Sequence, residues 1–376
     1  MNLIFTCGGT GGHINPAIAV ANMWKERYPE SNILFVGGAG GMEEKLVPAA
    51  GYRLETLPAS GMARGISFKA IKHNARAIRR VFRSVKECKR IIGEFDADVV
   101  IGTGGYASFP MLLAGSMMKV PTCVHESNAM PGLTTRLIAD RVDRVLACFP
   151  ESAKYYRHPE KVEIVGMPVR REFIYTVKED ARKELGLGQH PVIVSAFGSQ
   201  GARAMNEMIT ELFRIEQAEG FPFQHIHAAG SFGWRWMPEY VREKGVDWEQ
   251  ADGIIMKEYL YNMPTVMAAA DVIISRAGAS SCNEIAASGT PCILIPSPNV
   301  TDNHQEKNAK ALADAGGAVM IREKECTAEV LYQQIRGLLE DKQQYDRMRR
   351  ALQGMVVLDS AEQICRIIAD LAKKKA

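Results

Sequence analysis

Short apolar runs alternate with longer amphipathic stretches from one end of the chain to the other, and this rhythm limits the fold more than any single motif. In the first half the runs are Leu3–Cys7, Ile33–Val36, Val99–Ile101, Thr122–Val124, Val145–Phe149 and Val162–Val165. In the second half they are Val192–Phe197, His225–Ala228, Ile254–Met256, Val272–Ser275, Cys292–Ile295 and Ala318–Ile321. Runs this short and this apolar read as strands buried on both faces, and the stretches between them as covering helices. Repeated βα units predict an α/β protein with parallel sheets. The rhythm restarts near residue 190, and 376 residues exceed what one ordinary core holds. Two doubly wound, Rossmann-like domains are therefore expected, over 1–165 and 166–360. A last helix over 361–376 is expected to return to the first domain. In such sheets ligands bind outside the carboxyl ends of the strands, so two facing sheets would turn their loops into one cleft.

Composition removes several classes. With 47% hydrophobic and 24% charged residues the chain is neither disordered nor built to span a membrane. No stretch approaches the roughly 18 consecutive apolar residues of a spanning helix. The N-terminus, Met1-Asn2-Leu3-Ile4-Phe5, lacks a charged start and a cleavage site, and reads as a first buried strand of a cytoplasmic protein. The eight cysteines are scattered with no C-x-x-C pair, which points to small buried hydrophobes rather than a zinc site or disulfides.

The chemistry-bearing clusters stand where strands end. Gly8-Gly9-Thr10-Gly11-Gly12-His13 follows the first strand and opens a helix with Pro16 early in it. Such a loop offers backbone N–H groups and a helix N-terminus to an anion. It is not the dinucleotide fingerprint, which would need glycine where Ile14 stands, and the second strand ends Val36-Gly37-Gly38 without a ribose-binding acid. No ATP-type G-x-x-x-x-G-K-[ST] loop occurs either. No cofactor is expected. Further polar clusters are Gly102–Tyr106, His125–Asn128, Gly198–Arg203, Ser275–Glu284, Pro296–Asn299 and Asp302–Ala309. Polar groups so dense at buried strand ends suit a cleft for a sugar and phosphates better than a core.

In order and spacing, the clusters at 8–13, 102–106, 125–128, 198–203, 275–284 and 302–309 resemble the MurG family across nearly the whole chain. These are UDP-N-acetylglucosamine:lipid I N-acetylglucosaminyltransferases of GT-B fold. The resemblance implies inverting transfer of N-acetylglucosamine from UDP to the muramyl 4-hydroxyl of undecaprenyl-pyrophosphate-linked muramyl-pentapeptide, giving lipid II for the cell wall. It assigns the donor to Thr10, Gly11, Gly12, Asn128, Arg170, Ser199, Leu260, Ala279, Ser280, Glu284 and Gln305, and the acceptor to His13, Gly104, Tyr106 and His125. Met167 departs from the family's usual Asn before Pro168, and Leu260 from a common Ile.

Within that frame His13 is the candidate general base, since an unperturbed imidazole titrates at about pH 6.5; binding the acceptor phosphate is its rival role, and Glu126 is the second candidate base. Glu284 would accept both ribose hydroxyls or merely complement its helix dipole. Ser199 and Arg170 would hold the pyrophosphate, with an ordinary N-cap as the alternative for Ser199. Gln305 and Asn308, three apart, would meet sugar hydroxyls beside His304. Asp96-Ala97-Asp98 resembles a D-x-D metal signature but begins a strand, away from the cleft end, so capping is its role and no metal is expected.

Between Lys69 and Arg90 nine basic residues face the single acid Glu87, a net +8 in a chain of net +3. Basic residues and the apolar positions 71, 78, 82, 85 and 92 keep helical spacing over Phe68–Ile92, which suits an anionic membrane surface at the cytoplasmic face. The alternative is a helix packed on its own sheet. Nucleic acid would also take such a patch, but no recognition motif supports it. Three other functions fit the same motifs less well: a transferase with another lipid or small acceptor, a UDP-N-acetylglucosamine epimerase, and a non-catalytic sugar-nucleotide binder.

Overall fold

The computed structural model describes residues 1–9, 11–58, 83–105, 107–300 and 303–373. Among them the chain forms two compact units, one of residues 1–169 with 359–376 and one of residues 170–358.

The first unit is built on β1 (Asn2–Thr6), β2 (Asn32–Gly38), β3 (Arg53–Leu57), β4 (Val99–Gly102), β5 (Thr122–Glu126), β6 (Arg144–Ala147) and β7 (Val162–Ile164). All pairings are parallel, in the order β3-β2-β1-β4-β5-β6-β7. Side-chain alternation loads both faces. Leu3, Phe5, Phe35, Val99 and Ile101 point to one core, while Ile4, Leu34, Val36 and Val100 point to the other. The first core is covered by the helix Gly11–Arg27, through Ile14, Val20 and Trp24, and by the helix Ser360–Lys373. That final helix buries Ile364, Cys365, Ile368 and Leu371 against the same cluster. Each large aliphatic side chain so buried contributes roughly 1.5–3 kcal/mol.

Two local expectations change here. Pro16 is the sixth residue of its helix, past the first turn, so the helix lacks the bond Pro16 would have donated to the Gly12 carbonyl. β3 is an added strand at the sheet edge, where Arg53 and Glu55 pair with each other across its solvent side.

The second unit repeats the plan with β8 (Val192–Ala196), β9 (Gln224–Ala228), β10 (Ile254–Lys257), β11 (Val272–Ser275), β12 (Cys292–Leu294) and β13 (Ala318–Met320). Their order is β10-β9-β8-β11-β12-β13, again parallel. Ile193, Ile274 and Ile293 meet Ile209, Leu212 and Phe213 of the helix Arg203–Ala218 and Leu331 and Ile335 of the helix Ala328–Glu340.

Each sheet starts in its middle, winds outward one way, then returns to wind the other way. The strand order therefore reverses between β1 and β4 and between β8 and β11. Loops that leave adjacent strands at such a point diverge and open a crevice, which is where doubly wound sheets bind ligands. The glycine clusters after β1, β4, β8 and β11 all stand at these two points.

Candidate active site

In the first unit the loops after β1 and β4 are stacked backbone on backbone. A Cβ on Gly105 would lie 2.2 Å from the Gly8 carbonyl oxygen, and one on Gly104 would lie 2.6 Å from His13 Nδ1. Both glycines also hold positive φ, +85° and +105°, so glycine is required twice over. The close approach lets two residues clamp each other. His13 Nδ1 is 2.9 Å from the Thr103 carbonyl, and the Thr103 hydroxyl donates to the His13 carbonyl at 2.6 Å. A carbonyl only accepts, so Nδ1 carries the proton, and in the neutral ring the lone pair sits on Nε2. The Ser108 hydroxyl lies between the carbonyls of Thr6 (2.9 Å) and Gly104 (2.6 Å) and ties the strand end to the second loop.

After β5 the cluster His125–Asn128 turns on its own backbone. Glu126 is buried, with one oxygen receiving the Asn128 backbone and side-chain N–H groups, both at 2.9 Å, and the other receiving the Gly132 N–H at 3.0 Å. His125 is 2% exposed, and its Nε2 lies 3.1 Å from the Gly166 carbonyl. Burial holds its pKa below the ordinary imidazole value. The ring is thus enclosed by the protein and tied to the segment that ends the first unit.

In the second unit the loop after β8 approaches the one after β9. Cβ atoms on Gly201 and Gly230 would lie 2.0 Å from the Ala229 carbonyl oxygen and 2.1 Å from the Gly201 nitrogen. Ser199 is exposed, and the following helix is capped by Ala202, so Ser199 is not its N-cap. Ala279 and Ser280 open the helix Ala279–Ser288, and Glu284 lies one turn on, accepting from the Ser280 hydroxyl at 3.3 Å. Burial raises the Glu284 carboxyl, opposed by that bond and by the charge of Arg170. Gln305, on the helix His304–Asp314, accepts from the Ser297 N–H at 2.9 Å. Asn308 on the same helix is buried and donates to the Ala277 carbonyl at 3.1 Å, so it shapes the turn before Ala279. Arg276 pairs with Glu323 and donates to the Ile295 carbonyl, bracing that turn from the other side. Leu260 is buried, while its chain neighbours Tyr259 and Tyr261 are exposed and their rings meet edge to face.

Thr10, Tyr106 and Asp302 lie outside the described residues, as do residues 68–82 of the basic segment. Of its remainder, Val85, Ile91 and Ile92 are buried in the core of the first sheet, so positions 85 and 92 of the apolar stripe face the protein itself. Arg83, Lys86 and Arg90 are exposed, with Arg90 held by Glu87 and Glu94. Among the described residues no helix is long and apolar enough to cross a membrane. Asp98 accepts the Asn2 N–H at 2.8 Å where β4 begins, and Asp96 adopts φ +49°, so this pair performs turn and capping chemistry.

Two buried groups escaped the sequence reading. Glu43 lies under the first glycine loop and accepts from Gly38 and Gly9. In the second unit Glu216, His225, Ser195 and His227 form one hydrogen-bonded chain with links of 2.8, 2.7 and 2.7 Å. Its sequence of groups resembles a hydrolase triad, yet all four are 0% exposed, which bars a substrate.

Comparison with known proteins covers both units. The domain described as glycosyltransferase family 28 N-terminal domain matches residues 3–147, and the family 28 C-terminal domain matches residues 192–364. A UDP-N-acetylglucosamine--N-acetylmuramyl-(pentapeptide) pyrophosphoryl-undecaprenol N-acetylglucosamine transferase from Acetivibrio thermocellus is 37% identical over 100% of both chains. One of the same description from Thermoanaerobacter sp. is 40% identical over 99% of this chain and 100% of its own. Among solved structures, MurG of Acinetobacter baumannii superposes with a TM-score of 0.75 at 22% identity, covering 98% of this chain and 99% of that one. A UDP-GlcNAc 2-epimerase from Neisseria meningitidis bound to UDP-GlcNAc gives 0.66 at 13%, covering 98% and 100%. At these identities the structural likenesses speak for the fold.

Proposed function

The chain belongs to glycosyltransferase family 28, and on that premise we propose that it transfers N-acetylglucosamine from UDP-N-acetylglucosamine to the muramyl 4-hydroxyl of lipid I. The observation that carries the reading is the clamp between His13 and Thr103. With Nδ1–H committed to a carbonyl, the neutral ring is the tautomer whose lone pair lies on Nε2, the form a general base needs.

His13 then takes the proton of the 4-hydroxyl as that oxygen attacks the anomeric carbon. The new C–O bond forms on the face opposite the departing UDP, so configuration inverts. Negative charge grows on the leaving diphosphate. Backbone N–H groups at the start of the helix Ala279–Ser288, the exposed Ser199 hydroxyl and Arg170 are the groups assigned to meet it. Glu284, poorly solvated, gains two O–H donors if ribose hydroxyls bind it, which offsets the desolvation that raises its pKa. Gln305, the backbone of Leu260, Asn128 and the loop residues Thr10, Gly11 and Gly12 complete the donor assignment. Glu126 reads as a loop organiser rather than a second base, because both of its oxygens already accept bonds.

The acceptor is lipid-linked, so the protein works peripherally at the cytoplasmic face of the membrane, where exposed Arg83 and Lys86 favour anionic lipid at roughly 1 kcal/mol each. The deciding experiment measures UDP release from UDP-N-acetylglucosamine in the presence of a chelator, with and without a short-chain lipid I analogue. Release that requires the analogue is the expected result. Release without it would replace the transferase with an epimerase or hydrolase, and none at all would remove this acceptor.

A further inference from the structure

Beneath the glycine loop that carries His13 lies a carboxylate that none of the steps above uses. Glu43 begins the helix Glu43–Ala49 and is 1% exposed. Its Oε1 accepts from the Gly38 N–H at 2.7 Å, at the end of β2, and its Oε2 accepts from the Gly9 N–H at 3.2 Å. Among the described residues it has no cationic partner. A bare buried carboxylate is costly to keep, so backbone donors at both oxygens are what make it tolerable.

The space around it is shaped by glycines from three segments. A Cβ on Gly37 would lie 2.6 Å from Glu43 Cγ, one on Gly41 2.2 Å from Oε2, and one on Gly8 3.0 Å from Oε1. No larger residue fits at 37 or 41 with the carboxylate in place. Gly9 itself holds φ +90°, a conformation that needs a reason to persist in so permissive a residue. The helix bearing His13 starts two residues later, at Gly11. The Gly9 N–H is thus occupied by the protein's own carboxylate, and the loop is pinned from below by Glu43 and from the side by Thr103.

We propose that Glu43 is a positioning residue for the transfer reaction: it latches Gly9 to the end of β2 and thereby fixes the direction in which His13 presents its imidazole. The proposal rests on the general-base role given to His13. It predicts a loss in turnover with UDP binding intact. Thr10, Gly11 and Gly12 adjoin the latch and are themselves assigned to the donor, so binding is read with UDP alone. The diphosphate and ribose of UDP are assigned to Ser199, Arg170 and Glu284, which the latch does not touch.

Glu43→Gln keeps shape but leaves one acceptor oxygen for two N–H groups. The shorter bond to Gly38 retains it, and Gly9 faces an NH2 group instead. The expected result is faster hydrogen exchange in the peptide spanning Gly9, a kcat at least about tenfold lower, equivalent to about 1.4 kcal/mol, and an unchanged Kd for UDP. Gly41→Ala is the second variant; it leaves the charge intact and pushes the carboxylate aside, and should reproduce the effect if Glu43→Gln does not fold. Wild-type exchange at Gly9 in a folded variant would overturn the latch, and this readout holds whatever reaction the protein performs. Wild-type kcat, or a loss matched by weaker UDP binding, would overturn the positioning role.

Discussion

Replacing His227 by Asn should flatten the acid sensitivity of the second unit by an amount the structure sets. His227 is fully buried, and its Nδ1 shares a hydrogen bond with Ser195 Oγ at 2.7 Å. Burial first, and the neighbouring His225 second, lower its pKa from 6.5 to about 3. An unfolded chain therefore takes up a proton here below about pH 6.5 that the folded chain refuses until about pH 3. The stability His227 contributes is complete above the unfolded value and is lost as pH falls through that window. Between pH 7 and pH 5 the loss comes to about 2 kcal/mol, from about 1.4 kcal/mol per unit of pKa difference. Glu216 works in the other direction, because burial raises its carboxyl and favours the proton in the folded state. Comparing slopes between wild type and His227→Asn removes that common part. Urea unfolding followed by tryptophan fluorescence is the assay, since Trp234, Trp236 and Trp248 all pack around the core of this unit. The variant should lose about 2 kcal/mol less than wild type between the two pH values. Equal losses would refute the claim that His227 stays neutral in the fold.

Gly104→Ala sets a methyl 2.6 Å from His13 Nδ1 at a residue with φ +105°; kcat should fall more than tenfold, while UDP affinity, measured by calorimetry, stays as it was. Ile368→Ala removes a fully buried contact between the last helix and the first sheet. It should cost about 2–5 kcal/mol, and limited proteolysis should then cut within residues 1–169 before 170–358.

The strands were legible because each is a short apolar run between polar turns, and a parallel sheet covered on both faces leaves no other use for such runs. β3 was not, because only Leu54 and Leu57 give Arg53–Leu57 any apolar character, and its polar side chains are those of an edge. Placing the glycine clusters at strand ends needed no more than counting. Which of their atoms bond was another matter. Gly104 and Gly105 look interchangeable with any turn glycines until His13 and Gly8 are seen against them. Glu43 sits in Met42-Glu43-Glu44-Lys45, which reads as a solvated helix start; only the fold shows that one of its two acids turns inward. The buried chain of Glu216, His225, Ser195 and His227 joins a helix to two neighbouring strands and residues up to 32 positions apart, a proximity that no local pattern carries. The basic segment left two neighbours open, a membrane surface and the protein's own sheet. Helical spacing gives an apolar stripe, but not which neighbour covers it, and for Val85 and Ile92 the neighbour is the sheet.

The helix Ser360–Lys373 completes the core that Leu3 and Phe5 begin. On the ribosome this separates the two units in time. Residues 170–358 emerge as one uninterrupted stretch with every strand and helix of their unit. The first unit, although begun earlier, waits for residues 360–373 before Val20 and Trp24 are covered. At synthesis rates of about 5–20 residues per second that wait lasts roughly 10–40 s. During it an apolar stripe stands open to chaperones, and a stalled or prematurely ended chain would leave the N-terminal half unfinished while the C-terminal half folds.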